Sequence, residues 1–165
     1  MPVSTPDQFG VGGTYICAFL DTLANAEIGP KWLANSDNGY NVVVGHTLFA
    51  GYKVHPGKSV YLPRYKIYST AAGRYQFLSK TWAALQKQLH LPDFSPRSQD
   101  LAAVELIRGR GALEDLRRGD FDSVVSKCAK EWASLPGAGY GQAEKSRKAL
   151  REVFDAAVSH HKSRA

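Results

Sequence analysis

The chain has 165 residues, 44% of them hydrophobic, and its 21 Lys and Arg against 15 Asp and Glu give a net charge of +6. This length and composition predict one domain with a hydrophobic core. They exclude a membrane-spanning protein, because no apolar stretch is long enough to cross a bilayer. The N-terminus also lacks the basic start and apolar run of a signal peptide.

Two cysteines, Cys17 and Cys128, are too few for a disulfide framework, and no Cys or His spacing is typical of a metal site. We therefore expect no metal and no other cofactor. The basic excess is modest and follows the predicted helices, which favours a solvated surface. A nucleic-acid partner is not expected, although another anionic partner stays open.

Residues 1–14 are rich in Pro, Gly, Ser and Thr and are predicted to form a flexible leader. A helix is predicted from Ile16 to Glu27, because apolar residues form one stripe at helical spacing and Glu27 returns to the middle of it. Gly29 and Pro30 end this helix, so Glu27 lies in its last turn. The stripe consists of Ile16, Phe19, Leu20 and Leu23.

Residues 39–63 combine β-branched and aromatic runs with Gly and Pro, which predicts a small antiparallel sheet. Within it, residues 52–62 are predicted to form a hairpin that turns at Pro56-Gly57 and is ended by Pro63. Helices are predicted for the remainder, with N-caps at Ser69 or Thr70, at Ser95 and at Asp120. They lie at about 70–89, 96–109, 112–118, 121–132 and 143–158, and a basic tail follows at residues 159–165.

This order predicts an α+β fold in which residues 15–158 form a single domain. A small antiparallel sheet lobe and a larger helical lobe would enclose a cleft, and Glu27 would lie at the lip of that cleft. A glutamate buried there without a cation partner has a raised pKa and can act as a general acid near neutral pH. A solvated or helix-capping glutamate stays an alternative.

A glycosidase with two carboxylates needs a second acid across the bond. Asp37 is the nearest candidate, but its Asp-Asn-Gly context is typical of a turn. Asp21 lies on the opposite face of the first helix and is expected to be solvated. Asn41 cannot act as a nucleophile. A lone acid is therefore the more natural interpretation.

One acid suffices for one particular reaction. If the N-acetyl group of a sugar stabilises its anomeric carbon and the primary hydroxyl of the same sugar attacks, a single glutamate can protonate the leaving oxygen and then take a proton back. A polymer that carries both groups is the N-acetylmuramic acid of the bacterial cell wall. This chemistry is consistent with the sequence but is not the only one possible.

Two segments could hold a sugar polymer. Small residues in STAAGRYQ would let a glycan approach the backbone, and aromatic, amide and guanidinium groups there and in LPGAGYGQ could stack on or hydrogen-bond sugars. The alternative is that Tyr75 belongs to the core and Arg74 is a solvated helix residue. The candidate substrate-binding residues, including two on the first strand, are Tyr40, Asn41, Ser69, Thr70, Ala72, Gly73, Arg74, Tyr75, Gln76, Tyr140 and Gln142.

Several motifs occur in a familiar order between about Ala18 and Phe154: AFLDTLANAE, NGYNVVVG, STAAGRYQFLS, DFSPRSQD, RGAL, RRGD and CAKEWASLPGAGYGQ. In this the chain resembles the bacteriophage lambda endolysin family of lysozyme-like lytic transglycosylases. The resemblance implies a lysozyme-like α+β fold with Glu27 as the catalytic acid. It also implies cleavage of the MurNAc-GlcNAc β-1,4 bond in peptidoglycan glycan strands, which leaves 1,6-anhydroMurNAc ends.

The resemblance further implies a monomer without stable membrane insertion, held in the host bacterial cytoplasm until a holin gives it access to the cell wall. The sequence departs from the family at Asn41, where an acidic residue is replaced, and in the loop after Glu27, which is shorter and contains Trp32. The loss of the acid favours a mechanism that needs only Glu27.

Two other functions stay open. A hydrolytic muramidase of the phage T4 type would place Asp and Thr nine and fifteen residues after the glutamate, where this chain has Ser36 and Val42, so the fit is poor. A non-catalytic basic module that binds cell wall or nucleic acid would leave Glu27 without a chemical role.

Overall fold

Helix α1 (Gly13–Glu27) is the central element of the structure, which is a computed structural model that describes residues 1–164. Its predicted apolar stripe is fully buried, and so are Cys17, Ala18 and Ala24 on its other faces. A helix that is apolar nearly all round belongs inside a domain. It packs most extensively against the last helix of the chain.

Around α1 the chain forms a helical lobe and a lobe of short strands. Among residues 1–164, no helix combines the length and the apolar character that crossing a membrane requires. The further elements are a 3-10 turn (Pro6–Phe9), α2 (Pro30–Ala34), β1 (Val42–Val43), β2 (Thr47–Leu48), β3 (Val60–Leu62), β4 (Ile67–Ser69), α3 (Ser79–Leu89), α4 (Pro96–Gly109), α5 (Leu113–Arg117), α6 (Phe121–Cys128) and α7 (Arg147–Lys162).

The sheet lobe consists of two antiparallel hairpins, β1–β2 and β3–β4. The predicted hairpin over residues 52–62 is wrong, because β3 pairs with β4 across a turn in which Lys66 has a φ of 53°. Pro63 ends β3 as expected. Residues 52–59 are instead irregular and pack on the helical lobe, where the Phe94 N–H donates to the Tyr52 carbonyl at 2.8 Å.

The helix predicted from residue 70 begins only at Ser79, and this prediction is corrected. Gly73 and Gln76 have φ values of 86° and 52°, which no right-handed helix accommodates. Ala72 and Phe77 pair as an antiparallel bridge around this tight turn. Gly73 also lies so close to Gln99 and Phe94 that a Cβ would meet them at 2.4 and 2.9 Å.

The predicted caps of later helices are present. The Ser95 side chain accepts from the Ser98 N–H and the Asp120 side chain from the Ser123 N–H. The last helix begins at Arg147 and not near residue 143, because Ser146 caps it.

Residues 1–14 differ from the flexible leader that their composition predicts. The Ser4 N–H donates to Asp100 Oδ2 at 2.9 Å, and Arg117 donates to the Phe9 carbonyl at 2.9 Å. The 3-10 turn approaches α1 so closely that a Cβ on Gly13 would lie 1.9 Å from the Pro6 carbonyl oxygen. Because Gly13 has no side chain, the 3-10 turn can pack directly against the start of α1.

The predicted basic tail is also folded in part, since α7 runs to Lys162, whereas Ala165 lies outside the described residues. His161 is buried and its Nε2 lies 2.7 Å from Asp21 Oδ2. Asp21, expected to be solvated, also accepts from the Arg74 guanidinium at 2.8 Å. Burial opposes its ionisation, but the His161 hydrogen bond and the Arg74 charge hold the pKa of Asp21 below its usual value.

Replacing Gly73 by Ala tests this turn. We expect Gly73→Ala to lower the free energy of unfolding by about 2 to 4 kcal/mol, from left-handed strain together with overpacking. Gly57→Ala is the matched control, because Gly57 also has a positive φ of 60° but its Cβ would meet only the His55 carbonyl at 3.9 Å. Urea unfolding of the two variants measures the difference, and equal losses would contradict a packing role for Gly73.

Candidate active site

Glu27 is the last residue of α1, where the helix is stopped by Gly29 with a φ of 88°. Its neighbours Ala26 and Ile28 are buried, and the glutamate itself is half-buried at the border of a cavity. The negative end of the helix dipole disfavours a carboxylate at this position. The helix thus presents a carboxyl group to the cavity in a place where charge is unfavourable.

The cavity has a volume of about 770 Å³ and separates the sheet lobe from residues 130–145 of the helical lobe. This size lies within the range of small-ligand sites. The two walls meet where the Ala143 N–H donates to the Tyr65 hydroxyl at 3.2 Å. This hydrogen bond joins the turn of the β3–β4 hairpin to the segment that follows residues 137–141, which we call the glycine-rich loop. The prediction of a cleft with Glu27 at its edge agrees with this geometry.

Ser134 is the hydrogen-bond partner of Glu27, and its hydroxyl donates to Glu27 Oε1 at 2.8 Å. Burial raises the pKa of Glu27 to about 7, even though the Ser134 hydrogen bonds act in the opposite direction. The carboxyl group is therefore divided between its acid and base forms near neutral pH, as a group that donates and later accepts a proton requires.

Five predicted substrate-binding residues line the cavity together with Glu27: Ser69, Tyr75, Gln76, Tyr140 and Gln142. Tyr140 is 55% exposed on the glycine-rich loop, where its hydroxyl donates to the Lys130 carbonyl at 2.6 Å. Tyr75 is fully buried at the cavity base and its hydroxyl donates to Asp100. Its role as a core residue is the alternative that the structure favours.

The other predicted residues lie outside the cavity. The Arg74 guanidinium is 1% exposed, bonded to Asp21 and to the Tyr75 hydroxyl, and Tyr40 is 3% exposed and donates to Asp100. A ligand in the cavity cannot reach either side chain, so the prediction that Arg74 and Tyr40 bind substrate is corrected: both are buried structural residues. Ala72 and Gly73 are buried in the turn, Thr70 accepts from the Ser79 N–H, and Asn41 accepts from the Asp37 N–H.

The sequence analysis missed several cavity residues, among them Ser134, Tyr65, His46 and Lys145. Ser134 had one signal, its place in the WASLPGAGYGQ motif. The His46 ring stacks on Trp32 with centroids 4.8 Å apart. No local pattern brings these two aromatic rings together, because they belong to different elements.

Glu131 is the only other acid that lines the cavity within residues 1–164, and its carboxylate accepts from Arg110 at 2.7 Å. Asp37 lies outside the cavity and accepts from the Tyr52 hydroxyl. Residues 1–164 also contain no group of three or more His, Cys, Asp or Glu that could hold a metal ion. Glu27 is therefore the one carboxyl group of the cavity without an ion-pair partner among these residues.

A sheet lobe and a helical lobe with an acid between them define a lysozyme-like α+β fold. A solved structure of bacteriophage lambda lysozyme complexed with a chitohexasaccharide superposes with a TM-score of 0.83 at 46% identity, covering 87% of this chain and 94% of that one. Another lambda lysozyme structure gives a TM-score of 0.67 at 42% identity and covers 91% and 93% of the two chains.

Sequence comparisons give the family. The family model described as Endolysin matches residues 17–160. The endolysin of Escherichia phage lambda is 48% identical over 145 residues, covering 83% of this chain and 87% of the relative, and that of Escherichia phage P2 is 45% identical, covering 84% and 90%. The chain belongs to the endolysin family.

The raised pKa of Glu27 has a consequence for stability. Its carboxyl keeps a proton up to a pKa of about 7 in the folded protein, against 4.5 for the free side chain. This contribution to stability is complete below pH 4.5 and is lost as the pH rises through 7. Glu27→Gln should therefore match the parent at pH 4 and exceed its free energy of unfolding by up to about 3 kcal/mol at pH 8.

Urea unfolding at both pH values measures this difference. The exposed Glu152→Gln serves as the control, because it makes the same substitution on the surface of α7. A Glu27→Gln variant that parallels the parent at all pH values would contradict burial of the ionisable group.

Proposed function

We propose that this chain is a peptidoglycan lytic transglycosylase. It would cleave the MurNAc-GlcNAc β-1,4 bond, leave 1,6-anhydroMurNAc ends and degrade the bacterial cell wall for host lysis. The observation that carries the proposal is that Glu27, with a pKa raised to about 7, is the one acid of the cavity between the two lobes without an ion-pair partner among the described residues. Membership of the endolysin family supports the wall as the substrate.

In the first step, protonated Glu27 gives its proton to the leaving GlcNAc O4 as the bond from C1 of MurNAc breaks. The N-acetyl group of MurNAc stabilises the positive charge at C1. The O6 hydroxyl of the same sugar then attacks C1, and its proton returns to the Glu27 carboxylate. The enzyme is restored, no water is consumed, and no second carboxylate takes part.

Ser134 would hold Glu27 for both steps. Its hydroxyl donates to Oε1 and so restrains the position of the carboxyl group. Because the same hydrogen bond stabilises the carboxylate, it also limits how far burial raises the pKa. A carboxyl that is half ionised near pH 7 can serve as acid and base in one cycle.

Ser69, Gln76, Tyr140 and Gln142 are the cavity residues we propose for binding the glycan strand, through hydroxyl, amide and aromatic contacts. The complex of lambda lysozyme with a chitohexasaccharide supports an extended glycan in the corresponding cleft. The proposal includes action as a monomer, without metal or cofactor, and release from the host cytoplasm by a holin.

The assignment of Glu27 is tested by Glu27→Gln, which keeps the side-chain shape and an oxygen that can accept from Ser134. We expect clearing of purified cell walls to fall by at least about 100-fold, because the proton donor is lost. Glu152→Gln should keep full activity. A folded Glu27→Gln protein that still clears walls would overturn the proposal, and a parent without activity would favour a binding module.

The reaction type is tested by the mass of the products. A hydrolytic muramidase is the second candidate, and the observation in its favour is that Glu131 lines the same cavity as Glu27. Mass spectrometry of digested wall should show muropeptides lighter by one water than hydrolysis products. Reducing ends would assign hydrolysis instead, and Glu131→Gln would then be expected to lower the rate.

A further inference from the structure

The net positive charge of the chain comes from one segment that contains no acids. Residues 38–92 contain seven of the 21 Lys and Arg and none of the 15 Asp and Glu, so this segment carries +7 and the rest of the chain −1. The fold gathers most of the segment into the sheet lobe. Lys and Arg are no denser in this segment than elsewhere, so its excess of positive charge arises from the absence of Asp and Glu.

The β3–β4 hairpin displays part of this charge. Arg64 and Lys66 in its turn and Lys58 just before β3 are exposed, and no described residue forms an ion pair with them. Their charges are compensated only by solvent ions. Such a cluster attracts anions over about 10 Å at moderate salt, and the attraction weakens as salt rises.

The hairpin has two faces with different surroundings. Leu62 and Ile67, which are paired in register, line the cavity that contains Glu27. Tyr61 and Tyr68 form the neighbouring pair and therefore point to the opposite face, where they are 48% and 73% exposed. Their rings contact each other with centroids 5.0 Å apart.

We call the exposed surface made by Tyr61 and Tyr68 with the exposed cations Lys58, just before β3, and Arg64 and Lys66, in the turn, the outer hairpin face. An exposed aromatic pair flanked by cations is typical of a binding surface for a partner with anionic and apolar groups. The opposite face of the same two-stranded hairpin lines the cavity. A partner bound to the outer hairpin face therefore lies next to a ligand in the cavity. This continuity limits the choice of partner.

We propose that the outer hairpin face binds the carboxylate-bearing peptide stems of peptidoglycan while the glycan strand occupies the cavity. The inference rests on the proposed function, because the stems are attached to the same polymer that Glu27 would cleave. In intact peptidoglycan the lactyl carboxyl of MurNAc is bound in an amide, so the free carboxylates are those of the stems. Lys58, Arg64 and Lys66 provide the complementary charge.

The test is binding of the full chain to purified insoluble peptidoglycan, in a Glu27→Gln background that keeps the polymer intact. Lys58→Glu with Lys66→Glu reverses two charges of the face and leaves Arg64, which stacks on Tyr65, unchanged. Lys87→Glu with Lys148→Glu is the control, since both lysines are exposed on helices elsewhere and the change in net charge is identical.

We expect the hairpin variant to bind about tenfold more weakly at low salt, with the difference lost at about 0.5 M salt, and the control to bind nearly as the parent does. Peptidoglycan whose carboxyls have been converted to amides should bind the parent as weakly as the hairpin variant. Equal losses in both variants, or unchanged binding to the amidated polymer, would overturn the proposal.

Two further measurements separate other outcomes. Preferential binding of the outer hairpin face to phosphatidylglycerol vesicles or to DNA would assign it to a different partner and refute the stem peptides. In the active background, the products of the hairpin variant should keep the same mass. A failure of the reaction itself therefore appears in product mass, whereas a failure of this inference appears only in binding.

Discussion

The burial of the Glu27 carboxyl is the interaction on which the candidate site depends. Three features oppose its ionisation: the end of the α1 dipole, the buried neighbours Ala26 and Ile28, and the lack of an ion-pair partner among the described residues. Ser134 moderates this effect, because its hydrogen bonds to the carboxyl group lower the pKa. The result is a pKa raised to about 7.

A buried polar network fixes the helix that carries this acid. Asp21 lies six residues before Glu27 on α1 and binds the Arg74 guanidinium, which is 1% exposed. Arg74 also donates to the Tyr75 hydroxyl, and Tyr75 donates to Asp100. Removing one member of such a network leaves a buried charge without its partner, which is strongly destabilising. The STAAGRYQ segment therefore joins the sheet lobe to α1 chiefly through this network and only in part through the cavity.

The two lobes differ in charge as well as in structure. The sheet lobe is free of carboxylates between residues 38 and 92, whereas acids and bases are nearly balanced elsewhere and form the ion pairs of the helical lobe. The net charge of +6 for the whole chain is therefore the sum of a strongly positive segment and a nearly neutral remainder. Attraction to an anionic polymer depends on local charge density, so the hairpin beside the cavity is more informative than the whole-chain value.

The sequence by itself determined α1 and its final acid, because helical periodicity and the Gly29-Pro30 stop are local signals that burial reinforced. It also determined the caps at Ser95 and Asp120. Only the tertiary structure decided that Arg74 is a buried structural cation, since its partner Asp21 lies 53 residues away.

The same holds for the meeting of Ser134 with Glu27 across 107 residues. Local sequence patterns indicate which face of an element is apolar. They do not indicate which distant group forms a hydrogen bond with a buried polar atom. Buried donors and acceptors must be paired, and the pairs form only when distant parts of the chain pack together.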